Sequence, residues 1–337
     1  MTAEQAGRQW KTLAPLFRDP VYDGCSDPTV VYNQEENSWW MFYTQRRASL
    51  PVVGVSGSFG TEVGIASSPD GGKTWVYRGT AQGLSIDWGH NTFWAPEVFF
   101  DKKAGLYRMI VTYTQGVPHR WGLCGGKCGM VHYTSRNLYE WKYCNFVFGR
   151  QHSDIIDACV FPLPQGGYRM WYRDTALGCS ILFSDTQDFV QFTEPRTAVE
   201  DHSEGPNVFS LGGHYWLLTD SLGKRSGLTV YRSTDLLHWE WQPEKLLAAP
   251  GSRPLDDSPG RHADVVTVGN DAYIYYFTQP WRDYSKPADF TAVQDRQAVC
   301  VIQCARIYCE NGVLRCDRDE DFDVLLPFGR ESGVEGQ

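Results

Sequence analysis

One unit of sequence recurs along this chain, and that recurrence limits its fold more than any single residue does. Each copy closes with a Ser or Thr, an acidic or polar turn, then an aromatic. It reads Ser68-Pro69-Asp70-Gly71-Gly72-Lys73-Thr74-Trp75, then Thr134-Ser135-Arg136-Asn137-Leu138-Tyr139-Glu140-Trp141. It returns as Ser184-Asp185-Thr186-Gln187-Asp188-Phe189 and as Ser233-Thr234-Asp235-Leu236-Leu237-His238-Trp239, with a degraded copy at Glu310-Asn311-Gly312-Val313-Leu314. Ahead of each lies an aromatic run: Trp39 to Thr44, Tyr107 to Tyr113, Tyr168 to Arg173, Tyr215 to Thr219 and Tyr273 to Thr278. Ahead of those, short β-runs begin at Asp27, Trp94, Asp157, Glu204 and His262. The runs are rich in β-branched and aromatic residues, Gly, Asp and Asn turns separate them, and no helical period is sustained over about 12 residues.

Units of roughly 50 to 65 residues, each of about four strands, are the signature of a radially repeated β-architecture. The expected fold is all-β: a five-bladed β-propeller with four-stranded antiparallel blades around a central channel. Residues 1–20 read as an N-terminal lead-in, with a short helix around Arg8 to Leu13. Residues 21–337 read as a single propeller catalytic domain. The first strand of each propeller blade lines the channel, so the five strand starts converge on one end of the axis. Asp27, Asp157 and Glu204 would then face one another from equivalent places in three units. Trp94-Ala95-Pro96-Glu97 and Arg261-His262-Ala263-Asp264 would join them. Three gathered carboxylates suit acid/base chemistry on a sugar.

Composition removes other classes. The net charge is −9 and there is no basic run, which argues against a nucleic-acid partner. No stretch of about 18 apolar residues is present, so no membrane span is expected. The polar first ten residues lack an apolar signal core, which predicts a cytoplasmic protein; the mature form of a secreted one would read the same. Thirteen Trp and 18 Tyr supply a core and leave aromatics for a cleft. The ten cysteines read as buried thiols. Cys124 and Cys128 bracket a Gly-rich loop, and Cys300, Cys304, Cys309 and Cys316 form a looser cluster; neither has the tight pairs or His partners of a zinc site.

In order, these motifs resemble the five-bladed glycoside hydrolases of family 43 and their relatives in families 62, 117 and 130. The family pattern is Asp-Pro on blade one, Ala-Pro-acid on blade two, and an Asp before an apolar strand on blade three. Glu-Gly-Pro follows on blade four and a Gly-x-His motif on blade five. The resemblance spans nearly the whole chain. It departs at Asp157-Ala158, where the family often has Asp-Pro, and at Gly260-Arg261-His262, where Arg intervenes. It implies Asp27 as the general base that activates water, Glu204 as the general acid on the leaving oxygen, and Asp157 as the acid that tunes Glu204 and holds the sugar. Like charges close together would help Glu204 keep its proton. His262 is similar to a channel histidine that sits near a hydrated ion, so a water-held structural calcium is implied in the channel; no cofactor is required for the chemistry.

Around these three acids, the expected substrate-binding residues are Trp94, stacking on a sugar face or filling the channel wall, Glu97, His90, Arg46, Arg173 and His262. Asn91, Arg47, Asp174 and His202 are weaker candidates. The Ser68-to-Trp75 segment resembles an Asp-box and reads as a hairpin that stabilises its blade. The expected activity is an exo-acting, inverting glycoside hydrolase on plant or algal oligosaccharides, arabinofuranosidase- or xylosidase-like. The exo reading rests on three long inter-blade segments, Arg46 to Glu62, Gly116 to Gly129 and Pro280 to Arg296. An anhydro-galactosidase, a glycoside phosphorylase and a non-catalytic carbohydrate-binding propeller remain alternatives. A sialidase would need an arginine triad, which the sequence does not display. The sugar, linkage and oligomeric state are not legible.

Overall fold

The computed structural model describes residues 11–117, 128–150, 154–221, 227–286, 289, 291–293 and 296–329. Twenty strands form five four-stranded antiparallel sheets. Blade 1 holds β1 (Cys25–Asn33), β2 (Ser38–Gln45), β3 (Glu62–Ser68) and β4 (Val76–Thr80). Blade 2 holds β5 (Thr92–Asp101), β6 (Leu106–Thr114), β7 (Gly129–Ser135) and β8 (Lys142–Phe146). Blade 3 holds β9 (Ile155–Pro162), β10 (Tyr168–Asp174), β11 (Ser180–Thr186) and β12 (Arg196–Val199). Blade 4 holds β13 (Ser203–Leu211), β14 (His214–Ser221), β15 (Leu228–Ser233) and β16 (Glu240–Leu246). Blade 5 holds β17 (Arg261–Val268), β18 (Asp271–Thr278), β19 (Val301–Glu310) and β20 (Val313–Cys316). The fold is the expected five-bladed β-propeller.

The repeated turn has a mechanism. In blade 2 the Ser135 hydroxyl accepts the N–H groups of Asn137 and Leu138, and the Asn137 carboxamide oxygen accepts those of Tyr139 and Glu140. Trp141 Nε1 then donates to the Leu138 carbonyl at 3.1 Å. Ser68 and Asp70 do the same work in blade 1, and Ser233 and Asp235 in blade 4. Short polar side chains that bond the backbone just ahead replace the ladder where the chain must reverse. The Ser68-to-Trp75 segment is therefore such a hairpin turn, between β3 and β4.

Aromatic middle strands fill the seams between blades. Five apolar clusters form, one at each seam. Trp39, Tyr43 and Tyr275 lie between blades 1 and 5; Trp40, Phe42 and Tyr133 lie between blades 1 and 2. Burying each such ring is worth roughly 1.5–3 kcal/mol. Both ends of the described residues reach the seam between blades 1 and 5. Leu16 and Phe17 donate to the Ile302 carbonyl, while Leu326 donates to Gly71 and Trp39 Nε1 to Pro327. Lys11 to Leu13 have no helical turn, in contrast to the expected helix; Arg8 to Trp10 lie outside the described residues. Among the described residues no helix is long and apolar enough to cross a membrane. Cys25, Cys159, Cys179, Cys300 and Cys304 are buried as expected, whereas Cys144 is exposed; Cys124 lies outside the described residues.

Candidate active site

Every inner strand breaks register at the same place. The pairing with the middle strand skips two residues after Ser26, Trp94, Ile156, Glu204 and Arg261. The first skipped residue is left-handed in every blade: Asp27 (φ 53°), Ala95 (45°), Asp157 (59°), Gly205 (57°) and His262 (36°). The second is Pro28, Pro96, Ala158, Pro206 or Ala263. A bulge re-aims a side chain and sharpens the local twist, and left-handed non-glycine residues cluster at functional sites. Neighbouring blades cap these turns. Thr44 Oγ1 accepts the Ala95 N–H at 2.8 Å, Thr112 Oγ1 accepts the Asp157 N–H at 3.0 Å, and Asp157 Oδ2 accepts the Gly205 N–H at 3.1 Å.

This register corrects one expectation. Asp27 and Asp157 are equivalent, but Glu204 is not: the blade-4 equivalent is Gly205, and Glu204 stands one residue earlier, at the position of Arg261. The bulge lets Glu204 approach the other acids from a different strand position. Asp27 is nearly buried, with Arg46 Nη2 3.4 Å from its Oδ2 and His262 Nδ1 3.5 Å from its Oδ1. Burial works to raise its pKa, but the charges of Arg46 and His262 and its hydroxyl partners outweigh that and hold it below the usual value. Asp157 is pushed the other way, to about 6, by burial first; Glu204 and Asp27 add to the rise against the pull of His262 and Arg173. Arg173 Nη1 donates to Glu204 Oε2 at 2.7 Å, and Arg261 Nη2 donates to Glu204 Oε1 at 3.2 Å.

Two residues further along each inner strand is a second ring, which joins the blades. Glu97 Oε1 accepts the Val160 N–H at 2.7 Å, Cys159 Sγ accepts the Val208 N–H at 3.1 Å, and Asp264 Oδ2 accepts the Val30 N–H at 2.8 Å. Asn207 Nδ2 donates to Asp264 Oδ1 at 3.0 Å. Glu97, expected to bind substrate, is placed here as a staple between blades. Burial, with Asp264 close by, pushes its pKa to about 8.

The remaining expected residues divide. Arg46, Arg173 and His262 join the carboxylates. Trp94 occupies the Glu204 position in its own strand, packs edge-on against Phe59 at 5.1 Å, donates its indole N–H to the Ser58 carbonyl and stays half-buried. His90 is bonded to the Gly60 carbonyl at 2.9 Å, and Asn91 to Asp87 and Tyr113, so both hold the rim loop. Arg47 donates to the Phe59 and Ser56 carbonyls, and His202 is an exposed loop residue. Sequence reasoning had Arg261 only within the blade-5 motif, with no role of its own, and missed Asp220. Arg261 Nε donates to Asp220 Oδ2 at 2.8 Å. The available signals were the alignment of Arg261 with Glu204 and the acid that ends the blade-4 middle strand. Arg46, Arg173 and Arg261 do converge, but each is aimed at a protein carboxylate, unlike an open arginine triad.

Among the described residues no group of three or more His, Cys, Asp or Glu could hold a metal ion. Calcium favours six to eight oxygen ligands. The carboxylate beside His262 belongs to Asp27 and already faces Arg46, so the side chains here do not fit a protein-caged calcium.

No protein-family model matches the chain, and no curated protein matches it. Solved structures do match it. A thermostable family 43 glycoside hydrolase superposes with a TM-score of 0.65 at 19% identity, over 91% of this chain and 97% of that one. A family 43 β-1,3-galactosidase solved with galactodeoxynojirimycin gives 0.65 at 14% identity, over 94% and 99%. The xylan β-1,4-xylosidase of Bacillus halodurans gives 0.64 at 15% identity, over 90% of this chain but 57% of that enzyme. The chain thus has the five-bladed propeller fold of the family 43 glycoside hydrolases. A shared fold does not carry a shared activity.

Proposed function

We propose that this protein is a glycoside hydrolase whose reaction is run by Asp27, Asp157 and Glu204. The observation that carries the reading is the pair of left-handed acids, Asp27 and Asp157, brought to one end of the channel with Glu204 one residue out of phase. Asp27, held ionised by Arg46 and His262, is suited to take a proton from water. Glu204, partly open and gripped by Arg173 and Arg261, is suited to protonate the leaving oxygen. Asp157 is raised to about 6 by burial first, and both Glu204 and Asp27 add to the rise. Water attacking from the face opposite Glu204 would invert the anomeric centre. The similarity to xylosidase and galactosidase structures supports an oligosaccharide substrate, with arabinofuranosides and xylosides as the first class.

An exo-acting site is part of the proposal. Gly54 N–H donates to the Ala292 carbonyl at 2.8 Å, and Val53 pairs with Val293. The long segments of blades 1 and 5 thus touch, which favours a cleft walled at one end. Parts of the other long segment lie outside the described residues.

The test is hydrolysis of aryl arabinofuranosides, xylosides and galactosides and of short oligosaccharides, neoagaro-oligosaccharides included, with and without phosphate. Wild type is compared with Glu204→Gln and Asp27→Asn. Turnover by wild type that falls about 10²–10⁴-fold in both variants supports the assignment. A strict phosphate requirement would make it a phosphorylase. Undiminished turnover in Glu204→Gln would remove Glu204 from the chemistry, and internal cleavage of a long polysaccharide would sink the exo reading.

A further inference from the structure

Glu204 and Asp220 are directly opposed across the β13–β14 pair. Like charges in that relation repel. The other blades avoid it: Ser26 faces Thr44, Trp94 faces Thr112, Ile156 faces Arg173 and Arg261 faces Phe277. Asp220 is 1% exposed, and its Oδ1 has no hydrogen-bond partner among the described residues. A buried, half-satisfied carboxylate opposite another acid is costly and calls for an explanation.

Arg261, from the next blade, spans the two acids. Its Nε donates to Asp220 Oδ2 at 2.8 Å and its Nη2 to Glu204 Oε1 at 3.2 Å, so the closer contact goes to Asp220. The second clamp on Glu204 is backed differently. Arg173 Nη1 reaches Glu204 at 2.7 Å, while its Nη2 meets Cys179 Sγ at 2.9 Å, a thiol. Glu204 is therefore pressed by two guanidiniums, and the acid that offsets one of them is Asp220.

We propose that Asp220 is a positioning residue for Glu204: it draws Arg261 onto itself and offsets its charge, which leaves Glu204 able to hold and release a proton. This rests on the reading of Glu204 as the acid. Burial raises the pKa of Asp220, with Glu204 adding to the rise against the pull of Arg261 and His262. The other charged and titratable groups that bear on this cluster are Asp157, Arg46, Arg173, Cys179, His262, Tyr284 and Cys300. All of them are unchanged in the test.

The test follows the Glu204 carboxyl carbon by NMR in protein labelled with ¹³C-carboxyl glutamate, its signal identified by its loss in Glu204→Gln. In Asp220→Asn and in Asp220→Ser the Glu204 signal is expected to titrate lower than in wild type by about one pH unit or more, about tenfold in proton affinity. In Asp220→Asn/Arg261→Gln, where the unbalanced guanidinium is gone, it moves back toward wild type. On any glycoside that wild type hydrolyses, the basic limb of kcat/KM moves down by the same amount in Asp220→Asn. Coincident midpoints in wild type and in either folded single variant would overturn the proposal; two variants are used so that a folding failure in one leaves the other to decide. If wild type hydrolyses nothing, the hydrolase reading fails while the titration still measures the hold of Asp220 on Glu204. If wild type is active and the midpoints coincide, only the role of Asp220 falls.

Discussion

Asp157 Oδ2 accepts the Gly205 N–H at 3.1 Å, so an acid of blade 3 caps the left-handed turn of blade 4. Burying that acid costs the fold something. Burial lifts the Asp157 pKa to about 6. A carboxyl raised above its unfolded value contributes stability fully below about pH 4 and loses it as pH rises through 6. Asp157→Asn keeps an oxygen for the Gly205 N–H and sheds the charge. It should melt like wild type near pH 4 and be more stable at pH 8, on the order of 2–3 kcal/mol. Its activity should fall at the same time. Thermal melts at the two pH values check this; equal melting at pH 8 would mean that the buried charge is not strained.

Gly205 also leaves no room for a side chain beside His262. A Cβ added at Gly205 would lie 2.8 Å from His262 Nδ1, at a backbone φ of 57°. Gly205→Ala is therefore expected to cost about 1–3 kcal/mol and to push His262 off Asp27. Gly213 has φ 77° and open space around it, so Gly213→Ala carries the backbone term alone. A larger drop in melting temperature for Gly205→Ala, with loss of turnover confined to it, is the expected result.

Glu97 separates staple from catalyst. Its pKa of about 8 comes from burial and the nearby Asp264, so its stabilising contribution is lost as pH rises through 8. Glu97→Gln retains an oxygen for the Val160 N–H. Stability should match wild type near pH 4 and exceed it at pH 9, with kcat/KM within about threefold. A large kcat effect at unchanged stability would return Glu97 to the substrate.

The turn of blade 2 tests the repeat itself. Asn137 Oδ1 accepts the N–H groups of Tyr139 and Glu140 at 3.0 and 2.9 Å, far in sequence from the acids. Asn137→Ala should lower stability by about 1 kcal/mol and leave turnover unchanged. Denaturant unfolding of the pure variant measures the first, and the glycoside assay the second.

What the sequence determined by itself was whatever depends on local pattern. Ser-x-Asp or Ser-x-Asn before an aromatic is a turn because the short side chains bond the backbone beside them. Aromatic runs of Trp39 to Thr44 type are middle strands because both faces must be apolar to pack at blade seams. Five such units can close only as a propeller, and that places Asp27 and Asp157 together. Register was decided only in the tertiary structure. Side chains alternate from face to face along a strand, and a two-residue bulge resets the phase. For that reason Glu204, one residue ahead of its apparent counterparts, still reaches the site, while Glu97, two residues past Ala95, is turned into the ring that staples the blades. Arg261 aligns with Glu204 and Asp220 lies late in a middle strand, but neither signal names the other as its partner. They lie 41 residues apart in the chain, on different blades, and became a pair at Glu204 only when β14 and β17 were set side by side.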